Sequence, residues 1–238
     1  MGLRTFLPEV DSTSREARRR LAAGHDPAIP FVVWTTRQTS GHGQRGRTWV
    51  APPGNLSASW WLPDRAKDPW TTHRAGLCVL DAAGSLGIDL AACGLKWVND
   101  LVHVPQTGPA RKWGGVLAES PGHGGIILGI GLNLVPSTLP EATWIGAFSV
   151  PVPPADAWVD ALDEALGTPL DAATIRQRYA STCLSIGRPG TWLRPDGSSL
   201  SGTIEGLTED GGLLLRSVDG LTHAVRSGQV RGPDGSYM

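Results

Sequence analysis

The residues best suited to chemistry lie in a loop that alternates glycine with basic side chains. It runs Gly41-His-Gly-Gln-Arg-Gly-Arg47, between an apolar run at 31–34 and a second that begins at Leu56. Glycines let backbone amides approach a ligand closely, and arginines supply forked hydrogen-bond donors. This combination is typical of an anion-binding site. The same composition also fits a flexible connector, so the loop alone leaves both interpretations open.

Three later segments place polar or small residues in strand-like surroundings. They are Lys96-Trp-Val-Asn-Asp100, Lys112-Trp-Gly-Gly-Val-Leu-Ala-Glu119 and Gly129-Ile-Gly-Leu-Asn133. Because Asn and Asp favour turns, Asn99 and Asp100 are predicted at a bend, with their side chains free to act. Glycine inside a strand costs stability and usually marks a bulge or the close approach of a ligand or backbone. These segments carry more such features than a structural core requires.

Hydrophobic periodicity predicts the elements that must position these segments. Apolar residues at helical spacing predict helices at 15–23, 71–86, 155–166 and from Asp171 to about 183. Apolar runs predict strands at 31–34, 56–60, 95–104, 112–119 and 125–135. Asp171 is predicted to cap the last helix, and Thr13 with Glu16 fits a capping box for the first. For Asp11, Ser12 and Thr13, helix capping is an alternative to any binding role.

The composition changes after residue 183. Short alternating strands at 190–194, 200–207, 213–216 and 222–226 are separated by the hairpin signals Pro195-Asp-Gly197, Asp210-Gly211 and Asp219-Gly220. This pattern predicts a small β-barrel of SH3 type. We therefore expect two domains, a larger one at 1–183 and a small C-terminal β-domain at 184–238.

Bulk composition argues against several classes of protein. The 238-residue chain has a net charge of −1, so no general attraction to nucleic acid or an anionic membrane is expected. No apolar run approaches a membrane span, and the N-terminus has no signal-peptide core. Three cysteines without a C-x-x-C pair indicate reduced thiols in a cytoplasmic protein. Six scattered histidines lack ligand spacing, which argues against structural zinc.

The segments, in this order, resemble the biotin–protein ligases over nearly the whole chain. The stretch from Gln38 to Trp49 is similar to the family's G-R-G-R-R-G loop, which binds biotin and phosphate. Residues 96–100 resemble K-W-P-N-D, residues 112–119 match K-x-x-G-I/V-L-x-E, and residues 129–133 match G-x-G-x-N. Asp11-Ser-Thr13 stands where the family has D-S-T near the start.

The resemblance implies a fold and a reaction. The fold class is α+β, a central mixed β-sheet flanked by helices (class II synthetase-like) with a small C-terminal SH3-like β-barrel. Biotin and ATP, with Mg²⁺, would give biotinyl-5′-adenylate and pyrophosphate. The acyl group would then pass to a lysine of a biotin carboxyl carrier domain of a biotin-dependent carboxylase. Few residues precede Asp11, so the DNA-binding domain of repressor-type members is expected to be absent, whereas homodimers are common in the family.

The resemblance also implies roles for individual residues. Lys112 is expected to bridge the biotin carboxylate and the α-phosphate, with Arg45 and Arg47 holding phosphate oxygens. The candidates for binding biotin are Ser12, Thr13, Gln38, Gly41, Trp49, Lys112, Gly114, Gly115 and Gly131. The candidates for binding ATP are His42, Gly43, Arg45, Gly46, Arg47, Trp49, Asn99, Asp100, Asn133 and Trp144. Asp100 is also expected to bring in Mg²⁺, since hard oxygen ligands suit that ion.

Two loop positions depart from the family's pattern. His42 and Gln44 stand where the family has arginine. Histidine is mostly neutral at pH 7 unless its surroundings intervene. Phosphate binding is therefore expected to rest on the two remaining loop arginines and Lys112, with weaker binding of ATP.

Two other functions stay open. Lipoate–protein ligases and octanoyltransferases share the fold and the lysine-centred chemistry, although Trp97 and the 41–47 loop favour biotin. A non-catalytic biotin or adenylate binder, for example a sensor, fits the loss of arginine from the loop. Lys112 together with Asp100 favours an enzyme, since a pure binder has no need for both.

Overall fold

The structure, a computed structural model, describes residues 2–63, 65, 68–122 and 124–237. It contains four α-helices: α1 (Thr13–Ala22), α2 (Thr71–Ser85), α3 (Ala155–Gly167) and α4 (Ala172–Thr182). The strands up to residue 132 are β1 (Leu3–Phe6), β2 (Phe31–Thr35), β3 (Gly41–His42), β4 (Thr48–Trp49), β5 (Leu56–Leu62), β6 (Cys93–Lys96), β7 (Asp100–His103), β8 (Arg111–Glu119) and β9 (Ile126–Leu132). The later strands are β10 (Pro189–Leu193), β11 (Ser199–Leu207), β12 (Leu213–Ser217), β13 (Thr222–Val225) and β14 (Gln229–Arg231).

A seven-stranded sheet forms the centre of the larger unit. Its strand order is β1-β2-β5-β9-β8-β7-β6. The β1–β2 pair is parallel and every other pair is antiparallel, which confirms the expected mixed sheet. Strands β6 and β7 form a hairpin around 97–99. The predicted interruption of the strand pattern is therefore confirmed at Asn99, whereas Asp100 is the first residue of β7.

Helices cover both faces of this sheet because its strands are apolar on both sides. On one face, α1 packs Ala17 and Leu21 against a cluster that includes Phe31 and Trp61. On the other face, α2 carries Leu77 and its neighbours into the main core, against which α3 and α4 also pack. An apolar side chain buried as completely as these contributes roughly 1.5–3 kcal/mol to stability.

Beyond the α1 cluster, the same sheet face changes from large to small side chains. Ser57 and Ser59 of β5 face Gly131 and Gly129 of β9 across the ladder, and Gly115 of β8 pairs with Gly131. Side chains alternate between the faces of a strand, so these residues share one face. The small residues leave open space beside the start of α1.

The start of α1 differs from the predicted capping box. Ser12 is the N-cap residue, and its hydroxyl accepts from the backbone N–H of Arg15 at 3.4 Å. The capping box built on Thr13 is therefore wrong by one residue. The Thr13 hydroxyl contacts Ser59 instead, at 2.8 Å. The alternative that this segment caps a helix is confirmed for Ser12.

The C-terminal region forms a separate five-stranded antiparallel sheet. Its order is β13-β12-β11-β10-β14. The four predicted strands are confirmed, and β14 is an additional strand of three residues. Among the described residues no pairing of β13 with β14 closes the sheet into a barrel.

The two units meet where α2 contacts the turn between β11 and β12. Trp70 Nε1 donates to the carbonyl oxygen of Glu209 at 3.1 Å, and Trp97 Nε1 donates to that of Gly211 at 2.9 Å. His73 is buried between these contacts. The small sheet is therefore fixed to the larger unit through indole hydrogen bonds. No helix in the described part of the chain is both long and apolar enough to cross a membrane.

Candidate functional site

Two cavities adjoin on the face of the large sheet where α1 begins. The smaller cavity holds about 140 Å³ and the larger about 320 Å³. The residues lining both are Gln44, Arg47, Thr48, Trp49, Asn99 and Lys112. The loop at 41–47 and the strands β7, β8 and β9 therefore converge on one composite site, as the sequence predicts.

The smaller cavity is lined by hydroxyl and amide groups. Gln38 Oε1 accepts from the backbone N–H of Thr13 at 2.9 Å and lies 3.3 Å from its hydroxyl. Ser59 Oγ lies 2.8 Å from Thr13 Oγ1 and 3.0 Å from Ser14 Oγ. Ser57 also lines the cavity, and its buried hydroxyl has no hydrogen-bond partner among the described residues. Such a wall suits a small, flat, polar group that both donates and accepts.

Glycines give the smaller cavity its depth. Gly115, Gly129 and Gly131 line it. A Cβ atom at Gly131 would lie 2.5 Å from the ring of Trp49, so only glycine lets this ring lie against the sheet. Gly114 faces the opposite side of the sheet, where a Cβ atom would meet Leu132 and Leu101. The structure therefore does not bring Gly114 into the cavity.

Cationic side chains surround one buried carboxylate in the larger cavity. Lys112 Nζ forms an ion pair with Asp100 Oδ1. Burial alone would raise the pKa of Asp100, but Lys112 and Lys96 hold this pKa below its ordinary value. Burial lowers the pKa of Lys96. Arg47 and Arg231 add two further cations to the same lining. This arrangement is suited to anionic groups of a ligand.

The C-terminal segment reaches into the larger cavity through Tyr237. Its hydroxyl donates to Asp100 Oδ2 at 2.7 Å. Lys96 Nζ lies 4.6 Å from the centre of the tyrosine ring, a cation–π distance. Burial and the neighbouring Asp100 raise the pKa of Tyr237. Tyr237 thus covers a buried lysine and fixes a buried carboxylate at the same time.

The glycine-rich loop folds as the β3–β4 hairpin and presents only some of its residues to the cavities. His42 and Gly43 line the smaller cavity, and Arg47 lines both. Arg45 is exposed, has a φ of 58°, and lines neither cavity. Gly46 is likewise exposed and has a φ of 72°, the region that favours glycine.

Other predicted residues lie at the margin of the site. Gly41 packs against Gln38 and Trp49, where a Cβ atom would lie 2.5 Å from the Gln38 amide. Asn133 lines the larger cavity, but its amide nitrogen donates to the carbonyl oxygen of Thr143 at 2.9 Å, so it holds backbone. Trp144 packs against Gly146 and is absent from the described lining of both cavities.

Several lining residues were not assigned a role from the sequence. Ser57 and Lys96 carried a detectable signal, because Ser57 belongs to a strand in which serines alternate and Lys96 begins the motif at 96–100. Arg231 and Tyr237 carried none, since Arg231 ends the last strand of the small sheet and Tyr237 follows that strand, both far along the chain from Asp100. The described residues contain no group of three metal-ligating side chains.

The geometry places a polar recognition cavity next to a cationic one, with Lys112 in the wall they share. Lys112 Nζ also lies 5.2 Å from the Trp49 ring centre. A ligand that spans both cavities would place its middle atoms beside Lys112. The arrangement can therefore bind two anionic groups side by side and bring them into reacting distance.

Comparisons with known proteins show which families and relatives this chain is similar to. Residues 9–134 match the family model described as the biotin/lipoate A/B protein ligase family, and residues 186–230 match the biotin protein ligase C-terminal domain. A biotin–acetyl-CoA-carboxylase ligase of Paracoccus denitrificans is 29% identical over 239 residues, covering 90% of this chain and 95% of the relative. A ligase of the same name from Mycobacterium tuberculosis is 29% identical over 242 residues, covering 94% and 86%.

A solved structure shows the same fold. The biotin protein ligase from Aquifex aeolicus, in complex with biotin and ATP, superposes with a TM-score of 0.74 at 23% identity. The match covers 97% of this chain and 98% of that one. The likeness extends over both sheets.

Proposed function

The chain belongs to the biotin/lipoate A/B protein ligase family, and from that premise we propose that it activates biotin with ATP and transfers it to protein. The products of the first step are biotinyl-5′-adenylate and pyrophosphate. In the second step, biotin passes to a lysine of a biotin carboxyl carrier domain, and AMP leaves. The names of the two curated relatives support an acetyl-CoA carboxylase as the source of that domain.

The observation that carries the proposal is the position of Lys112 between the two cavities. A carboxylate that attacks an α-phosphate brings like charges together, so the site must supply positive charge at the point of contact. Lys112 lines both cavities and its ammonium group is held by Asp100. It is therefore placed to bridge a carboxylate in the smaller cavity and a phosphate in the larger one.

The remaining lining divides into two roles. Ser12, Thr13 and Gln38 would bond the ureido ring of biotin, which offers one carbonyl and two N–H groups. Arg47 and Lys96 would hold phosphate oxygens in the larger cavity. The catalytic role of Arg45 stays a prediction, because its exposed side chain would have to turn inward when the loop closes over the ligand.

The reaction has two chemical steps, and Lys112 and Trp49 would each assist them. The biotin carboxylate oxygen forms a bond to the α-phosphorus while the bond to pyrophosphate breaks, and Lys112 offsets the charge of both oxygens. The carrier lysine, as a free amine, then attacks the acyl carbon, loses a proton and displaces AMP. Trp49 beside Lys112 would exclude water from the reactive anhydride.

Mg²⁺ fits the donor set only together with the nucleotide. Asp100 is the one candidate carboxylate in the described lining of the larger cavity that faces Lys112. Mg²⁺ prefers hard oxygen ligands and is usually bound by one or two carboxylates plus substrate phosphates. Asp100 would hold the ion together with phosphate oxygens, and the ion would neutralise charge on the phosphates.

Three further properties belong to the same proposal. The chain divides near residue 183, which the match of 186–230 to the C-terminal domain model supports. The protein works in the cytoplasm, which its three free cysteines support. Homodimerisation stays a prediction, and light scattering at several protein concentrations measures it.

Isotope exchange between ATP and pyrophosphate tests the proposal. Exchange should depend on biotin and should be negligible with lipoate or octanoate at equal concentration. Exchange that responds to lipoate instead would move the protein to the lipoate branch of its family. Tight binding of biotin without any exchange would identify a non-catalytic binder.

A further inference from the structure

Three side chains from three different elements meet beside the smaller cavity. Ser12 begins α1, His42 lies on β3 and Glu119 ends β8. Ser12 Oγ lies 3.3 Å from His42 Nδ1, and His42 Nε2 lies 3.5 Å from Glu119 Oε2. The second Glu119 oxygen, Oε1, accepts from Arg18 at 3.0 Å. The four side chains form a continuous relay from the surface of α1 to the cavity wall.

The Glu119 carboxylate favours one direction for the hydrogen bond between Ser12 and His42. A carboxylate can only accept. Arg18 occupies Oε1, and Oε2 is buried with no hydrogen-bond partner within normal geometry among the described residues. His42 Nε2 lies 3.5 Å from Oε2, outside hydrogen-bond geometry, and the negative charge of the carboxylate favours a proton on this nitrogen. In a neutral imidazole the other nitrogen, Nδ1, then has the lone pair.

With the ring in this neutral form, the Ser12 hydroxyl donates its proton to His42 Nδ1. Its oxygen already accepts from the Arg15 backbone N–H at 3.4 Å. Ser12 lines the smaller cavity and is only 2% exposed. With its proton committed, the oxygen can offer a ligand only a lone pair.

We propose that Glu119 and His42 hold the Ser12 hydroxyl as a hydrogen-bond acceptor and so make the smaller cavity selective for a ligand that presents an N–H at this point. His42 acts through Ser12 and is a positioning residue. The inference rests on the proposed function, in which the ligand is biotin and the N–H belongs to its ureido ring. A ligand with oxygen at that position would set two lone pairs against each other.

The position of His42 separates this role from simple packing. Its ring has one polar neighbour at each nitrogen, Ser12 at the start of α1 and Glu119 at the end of β8. A histidine that only stiffened the β3–β4 hairpin would, when replaced, weaken all ligands alike. A histidine that orients Ser12 changes the discrimination between ligands that differ in one N–H group.

The experiment compares biotin with its two cyclic carbamate analogues, in each of which one ring N–H is replaced by oxygen. Binding is measured by calorimetry without ATP, and Michaelis constants by biotin-dependent exchange. The variants are His42→Leu and Glu119→Gln, and the matched control is His223→Gln. His223 lies on β13 and contacts Ser217, away from both cavities.

Wild-type protein should prefer biotin over one of the analogues by at least about tenfold, the effect of one well-placed hydrogen bond. His42→Leu should lose most of that preference, with a higher KM for biotin and an unchanged KM for ATP. Glu119→Gln should reduce the preference in the same direction, since an amide no longer dictates the ring tautomer. The control should match wild type in every measurement.

Two outcomes would overturn the inference. In the first, the wild-type protein binds both analogues with the same affinity as biotin. In the second, His42→Leu weakens biotin and both analogues by the same factor. If His42→Leu does not fold, the Glu119→Gln result decides. Failure of the proposed function is recognised separately, because wild type would then bind neither biotin nor the analogues, and the inference would fall with it.

Discussion

Acidification should weaken the junction between the two units by protonating one buried histidine. His73 of α2 is 2% exposed and packs against Trp70, Tyr179 and the turn at Gly211. Burial lowers the pKa of His73 from 6.5 to about 4, and neighbouring backbone groups offset this only in part. Neither ring nitrogen has a hydrogen-bond partner with good geometry among the described residues.

The direction of the pH effect on stability follows from the lowered pKa of His73 in the folded state. The unfolded chain binds a proton near pH 6.5, while the folded chain resists it until about pH 4. Stability from the neutral ring is therefore complete above pH 6.5 and is lost as the pH falls toward 4. A difference of about 2.5 pKa units corresponds to about 3 kcal/mol, at 1.36 kcal/mol per unit.

Urea denaturation at pH 7.5 and pH 4.5 measures this loss. Other groups also titrate in this interval, so the informative quantity is the difference between wild type and His73→Phe. Wild type should lose about 2–3 kcal/mol more than the variant, because phenylalanine fills the site without a titrating nitrogen. His223→Gln serves as the control for a histidine that is not buried. Equal losses in wild type and His73→Phe would refute the assignment.

Three further predictions concern the cavities. Lys112→Ala should abolish adenylate formation while the protein still melts cooperatively, measured by exchange and calorimetry. Gly131→Ala should raise the KM for biotin about tenfold, because a methyl group 2.5 Å from the Trp49 ring displaces this wall at an overpacking cost of about 1–3 kcal/mol. Tyr237→Phe should lower the free energy of unfolding by about 1.5–3 kcal/mol, the range for a hydrogen bond to a charged group, and should raise the KM for ATP.

Each of these predictions has a contradicting result. If Lys112→Ala formed adenylate at the wild-type rate, Lys112 would have no role in the reaction. For the glycine substitution, the control is Gly206→Ala on β11, where a Cβ atom would meet nothing within 4 Å. Equal changes in the KM for biotin in the two variants would mean that the contact between Gly131 and Trp49 has no role in biotin binding. Unchanged stability in Tyr237→Phe would show that the hydroxyl does not hold Asp100.

Helices and strands with a strong apolar pattern could be predicted from the sequence. Helix α2 was placed within one residue of its observed end, because its buried positions repeat at helical spacing. Strand β1 was missed because three of its four residues are exposed, so they give no alternation. Strand β14 was missed because three residues are too few to show a period.

The candidate site was predictable where short motifs carry its residues. Lys112, Trp49 and Asn99 come together in the shared wall of the two cavities. The orientation of side chains was not predictable. Gly114 and Gly115 are neighbours, yet the alternation of a strand sends them to opposite faces of the sheet. Arg45 and Arg47 likewise differ in direction because the loop turns between them.

The larger cavity receives positive charge from outside the glycine-rich loop. His42 and Gln44 left the glycine-rich loop with fewer cations than the family pattern has. Lys96 and Arg231 supply positive charge to the larger cavity from a different strand and from the small sheet. The fold therefore adds two cations from outside the loop, and of these only Arg231 lies outside the sequence motifs. His42 faces the smaller cavity and a carboxylate instead of the phosphates.

The most direct test of the account identifies the small molecule that the protein makes. Purified protein is incubated with biotin, lipoate, ATP and Mg²⁺, denatured, and the released compounds are identified by mass spectrometry. The account predicts biotinyl-5′-adenylate from wild type and none from Lys112→Ala. Lipoyl-adenylate, or biotin released unchanged from wild type, would contradict it.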